Sequence, residues 1–149
     1  MKAKVKYIDK LQFCAVSDSN HSIIIDADKN LSYDQGIRPK ELLLMGLAGC
    51  TAMDVASILK KMHINFSNFS VTAEAKLTDE HPKVFSSITI HYKISGNVDK
   101  DKLEKAIKLS QDRYCGVSAM LRKTAPISYT YEMTNCKFLI SNPSGRRDR

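Results

Sequence analysis

The sequence predicts an α+β fold, and three observations support this prediction. Residues 38–62 form a long apolar stretch with the features of a helix. Alternating apolar residues mark strands on both sides of it, and the order is strands, helix, hairpin, helices, strand rather than a regular βα repeat. At 149 residues and 43% hydrophobic content, the chain fits one domain with enough core to fold without disulfides.

The segment before the apolar helix alternates apolar and polar residues, as half-buried strands do. The first predicted strand covers residues 2–8, the second is centred on Phe13, and the third lies in HSIIIDA, which begins at His21. Turn-forming residues separate the strands, and a loop then continues to Gly36.

The predicted central helix covers residues 38–62. Pro39 suits its first position, where the missing N–H would have no partner within the helix. Over residues 42–56 only Thr51 and Asp54 are neither apolar nor glycine, so we expect most of the helix circumference to be buried. We expect this helix to be too short and too interrupted to span a membrane.

Cys50 is the cysteine of this helix, and two glycines precede it. Gly46 and Gly49 each cost about 1 kcal/mol relative to Ala, so we expect a strand or helix to pack closely against them. Cys50 lies about three turns from the helix start, beyond the reach of the helix dipole. A buried thiol is ordinarily inert, so a reactive Cys50 requires a nearby cation. The candidate cations are Arg38, Lys40, Arg113, Arg122 and Lys123.

The second half of the chain predicts a hairpin, two helices and a strand. Apolar residues alternate over 69–77 and again over 86–94, which indicates a long antiparallel hairpin. Asp99 is expected to cap a second helix. A short third helix over 117–123 then precedes a final strand over 127–133.

Cys115 lies where these two helices meet. A chain bend can present a side chain to solvent, so we expect Cys115 to be more exposed than Cys50. The two cysteines are far apart in the sequence, and only the fold can bring them together. A disulfide between them would require Cα atoms within about 7 Å of each other.

Composition argues against several function classes. The net charge is +7, but Lys2, Lys4 and Lys6 fall on one face of an alternating strand, and the lysines of residues 100–108 are interspersed with acidic residues. Both patterns are those of ordinary solvated faces, so we expect no nucleic-acid partner. Cys14 and Cys136 belong to no CxxC pair and the four histidines are scattered, so no metal site is expected. The charged start of the chain resembles no signal segment, which predicts a cytoplasmic protein with reduced cysteines and no membrane partner.

Two segments, RPKELLLMGLAGCTAMDV and KLSQDRYCGVSAMLRKTAPISYTYEM, resemble the OsmC/Ohr family of thiol-dependent hydroperoxide reductases, and in particular its OsmC-like branch of redox proteins. The resemblance covers residues 1–134 as a single OsmC-like domain. It leaves 135–149 as a C-terminal extension, which we expect to be flexible at its end. The implied fold is an intertwined homodimer in which antiparallel sheets wrap around a long buried central helix, with active sites at the subunit interface.

The resemblance also implies a chemistry that needs no cofactor. The cysteine at the Cys50 position attacks an organic hydroperoxide and becomes a sulfenic acid. The cysteine at the Cys115 position then condenses with it to form a disulfide, a sequence that agrees with the oxidation chemistry of thiols. A small dithiol or lipoyl-type reductant restores both thiols. This function predicts that Cys50 is a thiolate at neutral pH.

One departure from the peroxidase pattern affects the residues that support the thiol. Lys40 stands where the peroxidases have a glutamate that orients an arginine over the cysteine. Glu41 is one residue away and points about 100° around the helix. Arg38 can pair with Glu41 locally, and Lys40 can instead replace the arginine as a cation. The departure keeps an alternative open: a non-catalytic OsmC-like thiol protein that binds a small ligand at the dimer interface or senses redox state.

Overall fold

The computed structural model describes residues 1–134, and its mixed α+β architecture confirms the predicted fold class. The predicted C-terminal extension, including Cys136, lies outside the described residues. In chain order the elements are β1 (Ala3–Asp9), β2 (Gln12–Ser17), β3 (Ser22–Ile25), α1 (Pro39–Lys61), β4 (Phe66–Leu77), β5 (Phe85–Gly96), α2 (Lys100–Leu109), a π-helical segment (Ser110–Tyr114), α3 (Gly116–Leu121) and β6 (Ile127–Thr134).

The strands form two three-stranded sheets. The first has the order β1-β2-β3 and is antiparallel. The second has the order β4-β5-β6, in which β4 and β5 form the predicted antiparallel hairpin while β6 runs parallel to β5. The prediction of wholly antiparallel sheets is therefore wrong for the second sheet. β6 can pair with β5 in parallel because α2 and α3 form the long connection that two adjacent parallel strands require.

The core lies between the second sheet and the helices. Ile88, Ile90, Tyr92 and Ile94 of β5 are almost completely buried, as are Leu103, Ala106 and Ile107 of α2. Each large apolar side chain buried in this way contributes about 1.5–3 kcal/mol. Asp99 caps α2 as predicted, because its Oδ1 accepts a hydrogen bond of 3.0 Å from the backbone N–H of Lys102.

Helix α1 begins at Pro39 as predicted, but it is covered along one face only. Its buried residues recur every four positions and pack toward the second sheet and the shorter helices: Leu47, Thr51, Val55 and Leu59. Two large apolar residues on other faces are more than half exposed: Met45 and Met53. The prediction that most of the circumference is buried is therefore wrong for the single chain, since its own elements cover a single side.

The glycines of α1 face open space within the described chain. A Cβ added at Gly46 or at Gly49 would have no neighbour within 4 Å. The expected close contact with a strand or second helix is therefore not supplied by the described residues of the same chain. These two glycines and the exposed Met45 and Met53 make up what we call the open face of α1.

The length of α1 corrects a second prediction. At 23 residues the helix is long and apolar enough to cross a membrane, judged by length and composition alone, so the argument that it is too short is wrong. The core helix of a globular protein can meet the same criteria. The packing of one face of α1 against β4, α2 and α3 is that of a core helix.

Helix α3 starts earlier and ends earlier than predicted. It covers Gly116–Leu121 rather than residues 117–123, and Gly116 is its first residue. The π-helical segment joins it to α2, so the chain turns through Tyr114 and Cys115 without an open loop. This arrangement decides where the Cys115 side chain points.

Candidate functional site

The fold brings Cys50 and Cys115 together beside Asp54. The two Sγ atoms and a carboxylate oxygen of Asp54 all lie within 4.8 Å of one another. Cys50 and Asp54 are one helical turn apart on α1, so their side chains share a face. Cys115 comes from the junction of the π-helical segment and α3. Both thiols are free.

Cys115 is the less exposed of the two thiols. It is 3% exposed, whereas Cys50 is half-buried, so the predicted order of exposure is wrong. The backbone N–H of Cys115 donates to the carbonyl of Ser110 at 2.8 Å, and its Sγ accepts from the N–H of Ser118 at 3.3 Å. These bonds turn the side chain into the protein at the bend between the two helical segments.

A buried hydrogen-bond network holds this bend against α1 and β5. Thr51 Oγ1 shares hydrogen bonds with Tyr92 OH at 2.6 Å and with Ser110 Oγ at 2.9 Å. Gln111 Nε2 donates to Thr51 Oγ1 at 3.1 Å and to Tyr92 OH at 3.0 Å. Ser118 Oγ donates to Gln111 Oε1 at 2.8 Å. Leaving one such buried group unpaired costs about 1–3 kcal/mol, so the network fixes the position of Cys115 relative to Cys50.

Asp54 connects this network to the thiols. Ser110 Oγ donates to Asp54 Oδ2 at 3.0 Å, which orients the half-buried carboxylate. Asp54 was not predicted as a site residue from the sequence. Its spacing of four residues after Cys50 on a helix is the signal that could have identified it.

The surroundings of Cys50 keep its thiol protonated. Burial raises the pKa of Cys50 most, and the hydrogen bond with Cys115 and the charges of Cys115 and Asp54 raise it further, against a smaller lowering by the N–H of Val117. In the part of the chain that the structure describes, no Lys or Arg is among these main influences on the pKa. The described residues of this chain therefore do not supply the cation that a reactive Cys50 was predicted to need.

Arg38 lies at the start of α1 and is directed into the preceding loop. Its Nη1 donates to the carbonyl of Gly36 at 2.8 Å and to that of Asp26 at 3.3 Å, and its Nη2 forms an ion pair with Asp34. Twelve residues separate it from Cys50, which is about 18 Å along a helix. Arg38 thus anchors the loop to the helix rather than contacting the thiol of its own chain.

The other proposed supporting residues also lie away from Cys50. Glu41 accepts a hydrogen bond of 2.9 Å from the backbone N–H of Arg38, so the local pairing of these two residues uses the main chain. Lys40 is exposed and lines a separate surface depression with Leu43 and Phe85. Arg122, a further candidate, donates to the carbonyl and side chain of Gln111 at 3.2 and 3.3 Å. The structure places none of these side chains beside the thiol.

A cleft of about 320 Å³ opens beside Asp54. Its wall combines apolar side chains with polar ones, with Tyr114 exposed at its edge and Lys61 the basic residue of its lining. The lining residues are Asp54, Ser57, Ile58, Lys61, Met62, Leu109 and Tyr114. Asp54 lies within 4.8 Å of both thiols, so the cleft adjoins the group of three side chains at the site.

Comparison with known proteins identifies the family. The model of the OsmC-like protein family matches residues 32–130. The chain belongs to the OsmC-like family. Protein YhfA of Escherichia coli strain K12 is 35% identical over 134 residues, which cover 89% of this chain and 98% of YhfA.

Several solved structures share the fold of this chain. A hypothetical protein from Aquifex aeolicus is similar with a TM-score of 0.76 and 28% identity, covering 89% of this chain and 96% of that one. The organic hydroperoxide resistance protein OhrB of Bacillus subtilis has a TM-score of 0.65 and 15% identity, covering 89% and 98%. At that identity the likeness to OhrB extends to the fold alone. Membership of the OsmC-like family points to a redox or peroxidase role.

The raised pKa of Cys50 generates a test in a variant that carries Cys14→Ser, Cys115→Ser and Cys136→Ser. Alkylation by iodoacetamide should reach its half-maximal rate above the ordinary thiol value of about 8.5, because burial and the Asp54 charge both disfavour the thiolate. Adding Asp54→Asn removes a negative charge and should move this midpoint to lower pH. A midpoint below pH 7 before that substitution would show that a cation acts on Cys50.

Proposed function

We propose that this protein is a thiol-dependent peroxidase that reduces organic hydroperoxides. The observation that carries the proposal is the placement of the Cys50 and Cys115 sulfurs within 4.8 Å of each other. Cys50 is half-buried and reachable, whereas Cys115 is enclosed, which suits a peroxide-reacting thiol and a resolving thiol respectively. Family membership and the fold shared with hydroperoxide resistance proteins support this choice.

The proposed cycle has three balanced steps. The Cys50 thiolate attacks the peroxide, which breaks the O–O bond, forms a sulfenic acid and releases an alcohol. The Cys115 sulfur then attacks the sulfenic sulfur, which forms the disulfide and releases water. A disulfide bond is about 2.05 Å long, so the two side chains must move toward each other in this step. A small dithiol or lipoyl-type reductant returns both thiols by exchange and is itself oxidised to a disulfide.

The cleft beside Asp54 favours an organic substrate over hydrogen peroxide. Ile58, Met62 and Leu109 give it an apolar wall that can bury an alkyl or aryl group. The proposal places the protein in the cytoplasm, where thiols are kept reduced between turnovers. Because the pKa of Cys50 is raised, the rate should increase as the pH rises and more thiolate forms.

Cysteine variants test the proposed cycle with cumene hydroperoxide and dihydrolipoate. Cys50→Ser should abolish consumption of the peroxide, since it removes the attacking sulfur. In a single-turnover assay without dihydrolipoate, Cys115→Ser should consume about one equivalent and stop at the sulfenic acid, since no resolving thiol remains. Cys14→Ser, in strand β2, should behave as the wild type. Full turnover by Cys50→Ser, or none by the wild type across pH 6–9, would contradict the assignment.

We also propose that two copies of the chain form a homodimer through the open face of α1. A helix with Gly46, Gly49 and exposed Met45 and Met53 leaves an apolar strip that the described part of the chain does not cover. A second copy can pack its own backbone closely against the bare glycines. Symmetric pairing of identical surfaces is the commonest way in which such a strip is covered. The intertwined arrangement implied by the family agrees with this proposal.

Sedimentation equilibrium at micromolar concentration tests the dimer. The wild type should have twice the mass of the chain. Met53→Asp should shift the protein toward the monomer, because it places a charge on a side chain that is 75% exposed in the single chain and buried in the proposed dimer. Lys105→Asp, on the exposed face of α2, should leave the mass unchanged. A monomeric wild type would rule out this interface.

A second candidate function is a thiol protein that does not turn over peroxide but senses redox state or binds a ligand. The observation in its favour is the Asp54 carboxylate beside Cys50, where a peroxidase would benefit from a cation. Such a protein would form the disulfide slowly with oxidants and show no dithiol-dependent turnover, so the assay of the cysteine variants separates the two candidates.

A further inference from the structure

The three groups that meet at the site are donors of the kind that zinc binds. Zinc takes cysteine sulfur at about 2.3 Å and carboxylate oxygen at about 2.0–2.2 Å in a tetrahedral arrangement, which places neighbouring donors roughly 3.5–4 Å apart. The Sγ atoms of Cys50 and Cys115 and an oxygen of Asp54 are already within 4.8 Å of one another.

We propose that the reduced protein binds one Zn²⁺ ion per chain through Cys50, Cys115 and Asp54. Three protein ligands leave the fourth tetrahedral position open to water or to a small thiol. No metal site was predicted from the sequence, because it contains no CxxC pair and its histidines are scattered. The fold instead assembles the ligands from α1 and from the bend before α3.

The charge at the site favours a divalent cation. When Zn²⁺ binds, the two thiols lose their protons, so two thiolates and a carboxylate together bring three negative charges to the ion. Ions held by soft sulfur ligands and one carboxylate are typically zinc rather than magnesium or calcium, which prefer oxygen ligands. A bound Zn²⁺ would offset the repulsion that the three groups exert on one another.

The groups around the donors are also suited to a metal. Ser110 Oγ donates to Asp54 Oδ2 at 3.0 Å and so orients the carboxylate. The backbone N–H of Ser118 points at the sulfur of Cys115 at 3.3 Å, and the N–H of Val117 acts on the sulfur of Cys50. Hydrogen bonds of this kind fix ligand orientation and are part of a working metal site.

Zinc binding and peroxide reduction would exclude each other. Binding releases the two thiol protons and forms two zinc–sulfur bonds, so the metal occupies the sulfur that attacks the peroxide. Oxidation to the disulfide removes both sulfur ligands and would release the ion. The inference does not depend on peroxidase activity, because it concerns the reduced thiols alone.

The test uses the full chain, reduced and freed of metal by a chelator. Titration with Zn²⁺ against a chromophoric competitor should give one equivalent per chain, and Co²⁺ should give a sulfur-to-cobalt charge-transfer band with tetrahedral visible bands. Cys50→Ser and Cys115→Ser should each weaken that band and lower the affinity. Ser110→Ala, which leaves the three ligands intact, should lower the affinity about 10–100-fold, and Asp54→Asn should lower it by more. Cys14→Ser is the matched control and should bind as the wild type.

The zinc titration and the cobalt spectrum of the wild type test the inference even if a variant does not fold. No binding at micromolar Zn²⁺, or Co²⁺ binding without the charge-transfer band, would overturn the inference. So would unchanged affinity in a folded Cys50→Ser, Cys115→Ser double variant. The peroxidase assay is run separately with chelator present. Turnover without zinc binding would therefore contradict this inference alone, and zinc binding without turnover would contradict the proposed function alone.

Discussion

The site depends on the hydrogen bonds that Thr51 makes inside the core. Thr51 is one residue after Cys50 on α1, and its hydroxyl meets Tyr92 of β5 and Ser110 of the π-helical segment. Through Gln111 the same network reaches Ser118 at the start of α3. These bonds are buried, so each lost partner is costly, and the segment that carries Cys115 has one position in which all of them are made. That position determines the distance between Cys50 and Cys115, which are far apart in the sequence.

Electrostatics then decides what the two thiols can do. Asp54 and the enclosing core both favour the protonated form of Cys50, whereas a fast peroxidase needs the thiolate. A carboxylate beside two thiols is well matched to a divalent metal and poorly matched to rapid attack on a peroxide. The same arrangement therefore predicts slow, pH-dependent peroxide chemistry and a zinc-binding reduced state.

Sequence patterns predicted the elements well because each has a local cause. Pro39 starts α1, Asp99 caps α2, and the alternation over β4 and β5 marks the hairpin. Burial could not be predicted in this way, since it depends on partners that lie elsewhere in the chain or in another copy. The open face of α1 and the enclosed position of Cys115 are the two features that were predicted wrongly for this reason. Asp54 was not predicted as a site residue because its role depends on its proximity to Cys115, which the sequence alone does not show.

The most direct test of the account is peptide mapping, without reduction, of protein treated with cumene hydroperoxide and then blocked with iodoacetamide. The account predicts a single disulfide that joins Cys50 to Cys115 within one chain, with Cys14 and Cys136 recovered as alkylated thiols. A main disulfide that includes Cys14 or Cys136, or one that joins two chains, would contradict the claim that the buried network pairs Cys50 with Cys115 as one redox unit.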